Sequence, residues 1–84
     1  MALVPFVTIH LGRGVLIPIH NVADAASALH DERWPHKGSA LHRKAVRTVG
    51  DALAGHCKVR VALEAFRKAA DEAGVIGRPG SAKK

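Results

Sequence analysis

Apolar and polar residues alternate from Phe6 onward. In "FVTIHL", residues 6–11, Val7, Ile9 and Leu11 share one face while Phe6, Thr8 and His10 share the other, which is the period of a half-buried strand. Residues 15–20, "VLIPIH", repeat the pattern with Val15, Ile17 and Ile19, and the intervening Gly12, Arg13 and Gly14 suit a three-residue hairpin loop with Gly14 left-handed. Pro18 has no amide proton to give a ladder, so its place is at an edge or a bulge.

The period then changes from strand to helix. Asn21 is a suitable N-cap, with Asp24 at the acidic third position, and Val22, Ala25, Ala26 and Leu29 follow at helical spacing. This predicts a first helix over 22–33, stopped at Trp34 because Pro35 disfavours helical backbone before it. Ser39 caps a second helix whose apolar stripe is Leu41, Ala45, Val49, Ala52 and Leu53, with Arg43, Arg47 and Asp51 opposite and Gly55 as its stop. The third, over 58–73, has the clearest period: Val59, Ala62, Leu63, Phe66, Ala69, Ala70 and Ala73 face inward, and Gly74 ends it. On its outer face Arg60 and Glu64, Glu64 and Lys68, and Arg67 and Asp71 stand at ion-pairing distance along a helix. Val75 and Ile76 fold back onto the core.

A hairpin followed by three helices is an α+β layout, with no internal repeat. Residues 1–76 form one α+β domain, and "GRPGSAKK", 77–84, reads as a disordered basic tail. At 84 residues the chain has room for one small core, and with aromatics at only 4% that core is built from Ala, Val, Leu and Ile. The net charge of +6 raises the expectation of an anionic partner. Without Arg78, Lys83 and Lys84 the balance is ten basic to seven acidic residues, so the folded part is only mildly basic. A single cysteine, Cys57, allows no internal disulfide and points to the cytoplasm. "MALVPFVTIHL" lacks the basic start and small-residue cleavage site of a signal peptide, and no apolar run is long enough to span a bilayer.

Several stretches together resemble a known family. "PFVTIH", "ERWP", "ALHRKAVRTVGDALAG" and "ALEAFRKAADEAGV" are similar to the small bacterial proteins of the domain of unknown function 982 family, over about residues 4–76. The most specific elements are Trp34 with Pro35, then Ala52, Leu53 and Gly55, then Ala65, Phe66, Ala69, Ala70, Ala73 and Gly74. The chain departs from the family pattern at Val49, where a cysteine is expected, and at Leu63, where an arginine is expected. The resemblance implies the fold and carries no activity with it.

The residues that carry chemistry cluster in "HDERWPHKGSALHRK", residues 30–44. His30, His36 and His42 recur every six positions, which matches neither a helical zinc pair nor a finger, and they read as surface histidines near helix ends. His10 and His20 share a hairpin face but stand about 13 Å apart along it, too far to chelate one ion. Cys57 beside His56 has no oriented third group and reads as a buried or semi-buried cysteine, so no catalytic, metal or cofactor site is expected. Arg33, Lys37, Arg43, Lys44 and Arg47 are the candidate contacts to a partner or to nucleic acid, and helices two and three can be scored as a helix-turn-helix. Nucleic acid is not favoured, because acids interleave the third helix and no aromatic platform exists for stacking bases. Trp34 is either an exposed partner anchor or a plug at the end of a small core, and the second is favoured. A two-stranded hairpin is marginal alone, so a homodimer through the hairpin is expected, with the first strand as its pairing edge. The reading is a small non-catalytic interaction or regulatory protein, with a weak electrostatic nucleic-acid binder as the alternative.

Overall fold

The computed structural model describes residues 5–11 and 15–76, so the expected left-handed Gly14 and the basic tail lie outside the described residues. Its element order is β1 (Val7–His10), β2 (Leu16–Ile19), α1 (Val22–Leu29), α2 (Ala40–Leu53) and α3 (Val59–Ala73), the expected α+β arrangement. β1 and β2 pair antiparallel with Val7 opposite Ile19, Thr8 opposite Pro18, Ile9 opposite Ile17 and His10 opposite Leu16. The odd-numbered residues therefore face the helices and the even-numbered ones face outward.

Pro18 stands at an edge of the hairpin, as expected, but the other edge differs from the expectation. The Leu11 amide donates to the Val15 carbonyl at 3.1 Å, and antiparallel alternation then turns the backbone groups of Thr8, His10, Leu16 and Pro18 away from the opposite strand. Pro18 thus sits where a missing amide costs the ladder nothing. On the other side, the His10 amide donates to the Val75 carbonyl at 2.8 Å, and Ile76 forms an antiparallel bridge with Ile9. The edge of β1 assigned above to a second copy is taken here by the chain's own residues 75 and 76.

Gly74 makes that return. It ends α3 at φ 73°, its amide donates to Asp71 and that of Val75 to Ala70, both at 3.1 Å, which is a Schellman turn. Val75 then drops into the core as its hydrophobic partner.

α1 is capped as expected: the Asn21 carboxamide oxygen accepts the Asp24 amide at 2.8 Å, and the Asp24 carboxylate accepts that of His20 at 3.0 Å. It ends at Leu29, however, four residues before the expected stop at 33. In a continuing helix the Arg33 amide would donate to the Leu29 carbonyl. Instead it donates to the Asp31 carboxylate at 2.8 Å, and the Leu29 carbonyl accepts from His42 Nε2 at 2.9 Å. The helix is broken by this exchange of partners, upstream of Pro35.

α2 starts at the Ser39 cap, whose Oγ accepts the His42 amide at 3.1 Å and donates to Glu72 Oε1 at 2.7 Å. Near the opposite end of α2, Cys57 Sγ lies 3.6 Å from the Thr48 carbonyl. These two contacts lay α2 and α3 side by side and antiparallel, which is not the steep crossing of a helix-turn-helix.

The core lies between the inner face of the hairpin and the three helices, centred on Ile9, Leu11, Ile19, Leu29, Val49 and Phe66. Trp34 is only 3% exposed, with its ring centroid 5.6 Å from that of Phe66 and 5.9 Å from that of His42. It is the plug and not an exposed anchor. Two stripe residues fall outside: Leu53 and Val59 are exposed, because the α2–α3 connection runs past the end of the core. His42, placed above among surface histidines, is 8% exposed and belongs to the interior.

Candidate docking groove

On the side of α2 and α3 away from the core, the two helices leave a groove of about 420 Å³ lined by Leu41, Lys44, Thr48, Arg60, Val61, Glu64, Ala65 and Lys68. Its origin is local. The buried stripe of α3 passes through Ala62, Phe66 and Ala69, and Val61 and Ala65, each one position earlier, form a second and narrower apolar row. Leu41, half-buried at the start of α2, faces this row across the helix pair. Val61 is 53% exposed, a large β-branched side chain left open to water in the lining of a concavity.

The rim is mostly cationic. Lys44 stands on the α2 side, and Arg60 and Lys68 flank the apolar row on α3, two turns of helix apart. Glu64 lies between them, but the expected pairs with Arg60 and Lys68 do not form: Glu64 Oε1 accepts from Arg67 NH2 at 3.1 Å. Among the described residues Arg60 and Lys68 enter no ion pair, so the rim carries three cations against one partly neutralised carboxylate. On the α2 wall the Thr48 hydroxyl donates to the Lys44 carbonyl at 2.7 Å.

The basic residues singled out from sequence do not form one surface. Arg33 is held by Asp31 through Nε at 3.0 Å and NH2 at 2.9 Å, which raises the pKa of its guanidinium. The same hydrogen bonds, from the Arg33 side chain first and its amide second, hold the Asp31 carboxyl down to about 2 from the usual 3.8. Lys37 Nζ donates to the His30 carbonyl at 3.2 Å. Arg43 and Arg47 are exposed on α2 outside the groove, and Lys44 alone lines it. Of Lys58 and Arg60, the two basic residues at the N-terminal end of α3, only Arg60 reaches the groove.

Sequence reasoning missed Val61, Ala65 and the role of Lys68. A signal existed: Val61 and Ala65 are an i,i+4 apolar pair off the main stripe, bracketed by Arg60 and Lys68. Among the described residues no group of three or more His, Cys, Asp or Glu side chains converges as metal ligands do. Cys57 is half-buried at the start of α3, its Sγ 3.4 Å from the Lys58 carbonyl.

The family model described as "Protein of unknown function (DUF982)" matches residues 6–76, from the first strand to the bridge residue Ile76. The chain belongs to the DUF982 family. Its match spans the hairpin, all three helices and the groove, so the groove is a feature of the family domain in this chain and not of an appended segment. No curated protein and no solved structure matches the chain.

Proposed function

We propose that this DUF982 protein is a small, non-catalytic interaction or regulatory protein of the cytoplasm that docks a partner in the groove between α2 and α3. The observation that carries the reading is Val61: a large apolar side chain more than half exposed in a concavity of about 420 Å³, ringed by three cations. Scattered exposed apolar residues are ordinary, but one seated in a groove with charged walls has the anatomy of an interface. No helix among the described residues is long and apolar enough to cross a membrane, which is consistent with action in an aqueous compartment. The nucleic-acid alternative loses support from the geometry, because Arg33 and Lys37 are spent on local contacts and α2 and α3 do not cross as a reading head. A photo-crosslinking residue in place of Val61, with the same residue in place of Arg43 as a control, tests the docking site in cells that make the protein. A discrete adduct from position 61 alone is expected; equal yields from both positions would sink the reading.

The same proposal includes a homodimer. With the β1 edge occupied at His10 and Pro18 on the edge of β2, a second copy has to use the outer face of the hairpin, where Leu16, opposite His10, is 65% exposed and Phe6, at the other end of the hairpin, is 40% exposed. Light scattering should give twice the monomer mass, falling to the monomer value in Leu16→Lys. A monomer mass for the unaltered protein would remove the dimer from the proposal.

A further inference from the structure

We infer that the occupant of the α2/α3 groove is an amphipathic helix with acidic flanks, supplied by another protein; this rests on the docking reading above and gives its partner a chemistry. The groove's length fits such an element. Leu41 to Thr48 on one wall and Val61 to Lys68 on the other each cover eight residues, and the seven steps between their ends are about 10 Å at helical rise, or two turns. A helix laid between α2 and α3 would place its i, i+3 or i+4, and i+7 side chains on Leu41, Val61 and Ala65, completing a three-helix layer by the usual helix-in-groove mode.

Charge then selects among helices. Lys44 stands on one wall, Arg60 and Lys68 on the other, so an entering helix meets cations on both flanks of its apolar stripe. Acidic residues bordering that stripe match them, and basic ones oppose them. The same sign argument removes two occupants supplied by this chain. The tail beyond Ile76 carries Arg78, Lys83 and Lys84 and no acidic side chain, and a second copy docking groove to groove about a two-fold axis would offer this groove's own cations. A duplex would satisfy the cations but leave Val61 and Ala65 without apolar contact, and it would meet Glu64 between Arg60 and Lys68.

The test is a helix-biased peptide display library panned on the full-length protein, with selected clones titrated by fluorescence anisotropy. Titrations use the unaltered protein, Val61→Asp, and the double variant Lys44→Glu, Lys68→Glu. All three positions are exposed, and circular dichroism checks that each variant keeps its fold. Enriched clones should carry an apolar i, i+3/i+4, i+7 stripe bordered by Asp and Glu, gain helix on binding, and bind each variant about tenfold or more weakly. Clones that depend on Val61 but are neutral, basic or extended would overturn the acidic-helix inference and leave the docking site standing. Clones that bind Val61→Asp as well as the unaltered protein would overturn both. Displacement of the clones by a short duplex, with a steep salt dependence that the double variant abolishes, would reassign the groove to nucleic acid and overturn the inference.

Discussion

Nε2 of the His42 imidazole lies 2.9 Å from the carbonyl oxygen of Leu29, so a side chain of α2 closes the last turn of α1. The Gly38 amide donates to Nδ1 of the same ring at 3.3 Å, which makes Nε2 the proton-bearing nitrogen and the donor to Leu29. Both ring nitrogens are thus engaged, and the ring packs against Trp34. Replacement by leucine keeps the volume but leaves a buried carbonyl without a donor, a loss of about 1–3 kcal/mol. Urea denaturation of His42→Leu should show a stability lower by that amount, read as a lower midpoint with an unchanged slope. A midpoint equal to that of the unaltered protein would mean the contact stabilises nothing.

This contact also shows where the sequence was legible and where it was not. Strand alternation at Val7, Ile9 and Leu11, the caps at Asn21 and Ser39, and the glycine stops at Gly55 and Gly74 are local features, and each stands where its local signal put it. The end of α1 is not local. Its carbonyl partner is thirteen residues away, and its competing turn depends on the Asp31 carboxylate capturing the Arg33 amide. His42 was hidden for the same reason: a histidine beside Leu41 and before Ala45 reads as polar until its partner Leu29 is brought to it. The groove needed both helices at once, because in the sequence Lys44 stands among the candidate contacts of α2 while Arg60 and Lys68 stand as ion-pair partners of Glu64 on α3.

Trp34 fills the gap that alanine-rich helices leave. Its ring contacts both Phe66 and His42, and it carries the turn after α1 onto the core. Truncating such a residue to alanine costs about 3–5 kcal/mol through lost burial and the cavity left behind. A chain of this length has a total stability of about 4–12 kcal/mol at typical per-residue values, so Trp34→Ala should be largely unfolded or strongly destabilised at 25 °C. Trp34→Phe should retain most of the stability. Thermal melts followed by far-ultraviolet circular dichroism distinguish these outcomes, and an alanine variant that melts with the unaltered protein would contradict the plug.

Gly74 couples the end of α3 to the sheet. An added methyl group would meet nothing within 4 Å, so Gly74→Ala measures the backbone alone at φ 73°. The left-handed conformation costs a residue with a Cβ about 1–2 kcal/mol. Because the turn delivers Val75 to the His10 amide, the variant should lose stability by that amount and exchange the His10 amide proton faster than other strand amides. Unchanged protection at His10 with a lowered midpoint would show that the turn and the edge contact are independent.

Asp31 gives the fold a dependence on pH in the acid range. Its carboxyl is held down to about 2 from 3.8, chiefly by the Arg33 side-chain hydrogen bonds and next by the Arg33 amide. A carboxylate whose folded pKa lies below its unfolded one contributes stability that is fully present above the unfolded value and is lost as pH falls through the folded value. The contribution of Asp31 is therefore intact at neutral pH and fades between 3.8 and about 2. Because the pair is exposed and screened, the effect should be small and should shrink with added salt. Asp31→Asn keeps an oxygen for the Arg33 amide but removes the charge. Its denaturation midpoint should lie below that of the unaltered protein at neutral pH and converge with it as pH drops through the same window. Parallel curves across that window would show that the Arg33 contact does not act through the charge of Asp31.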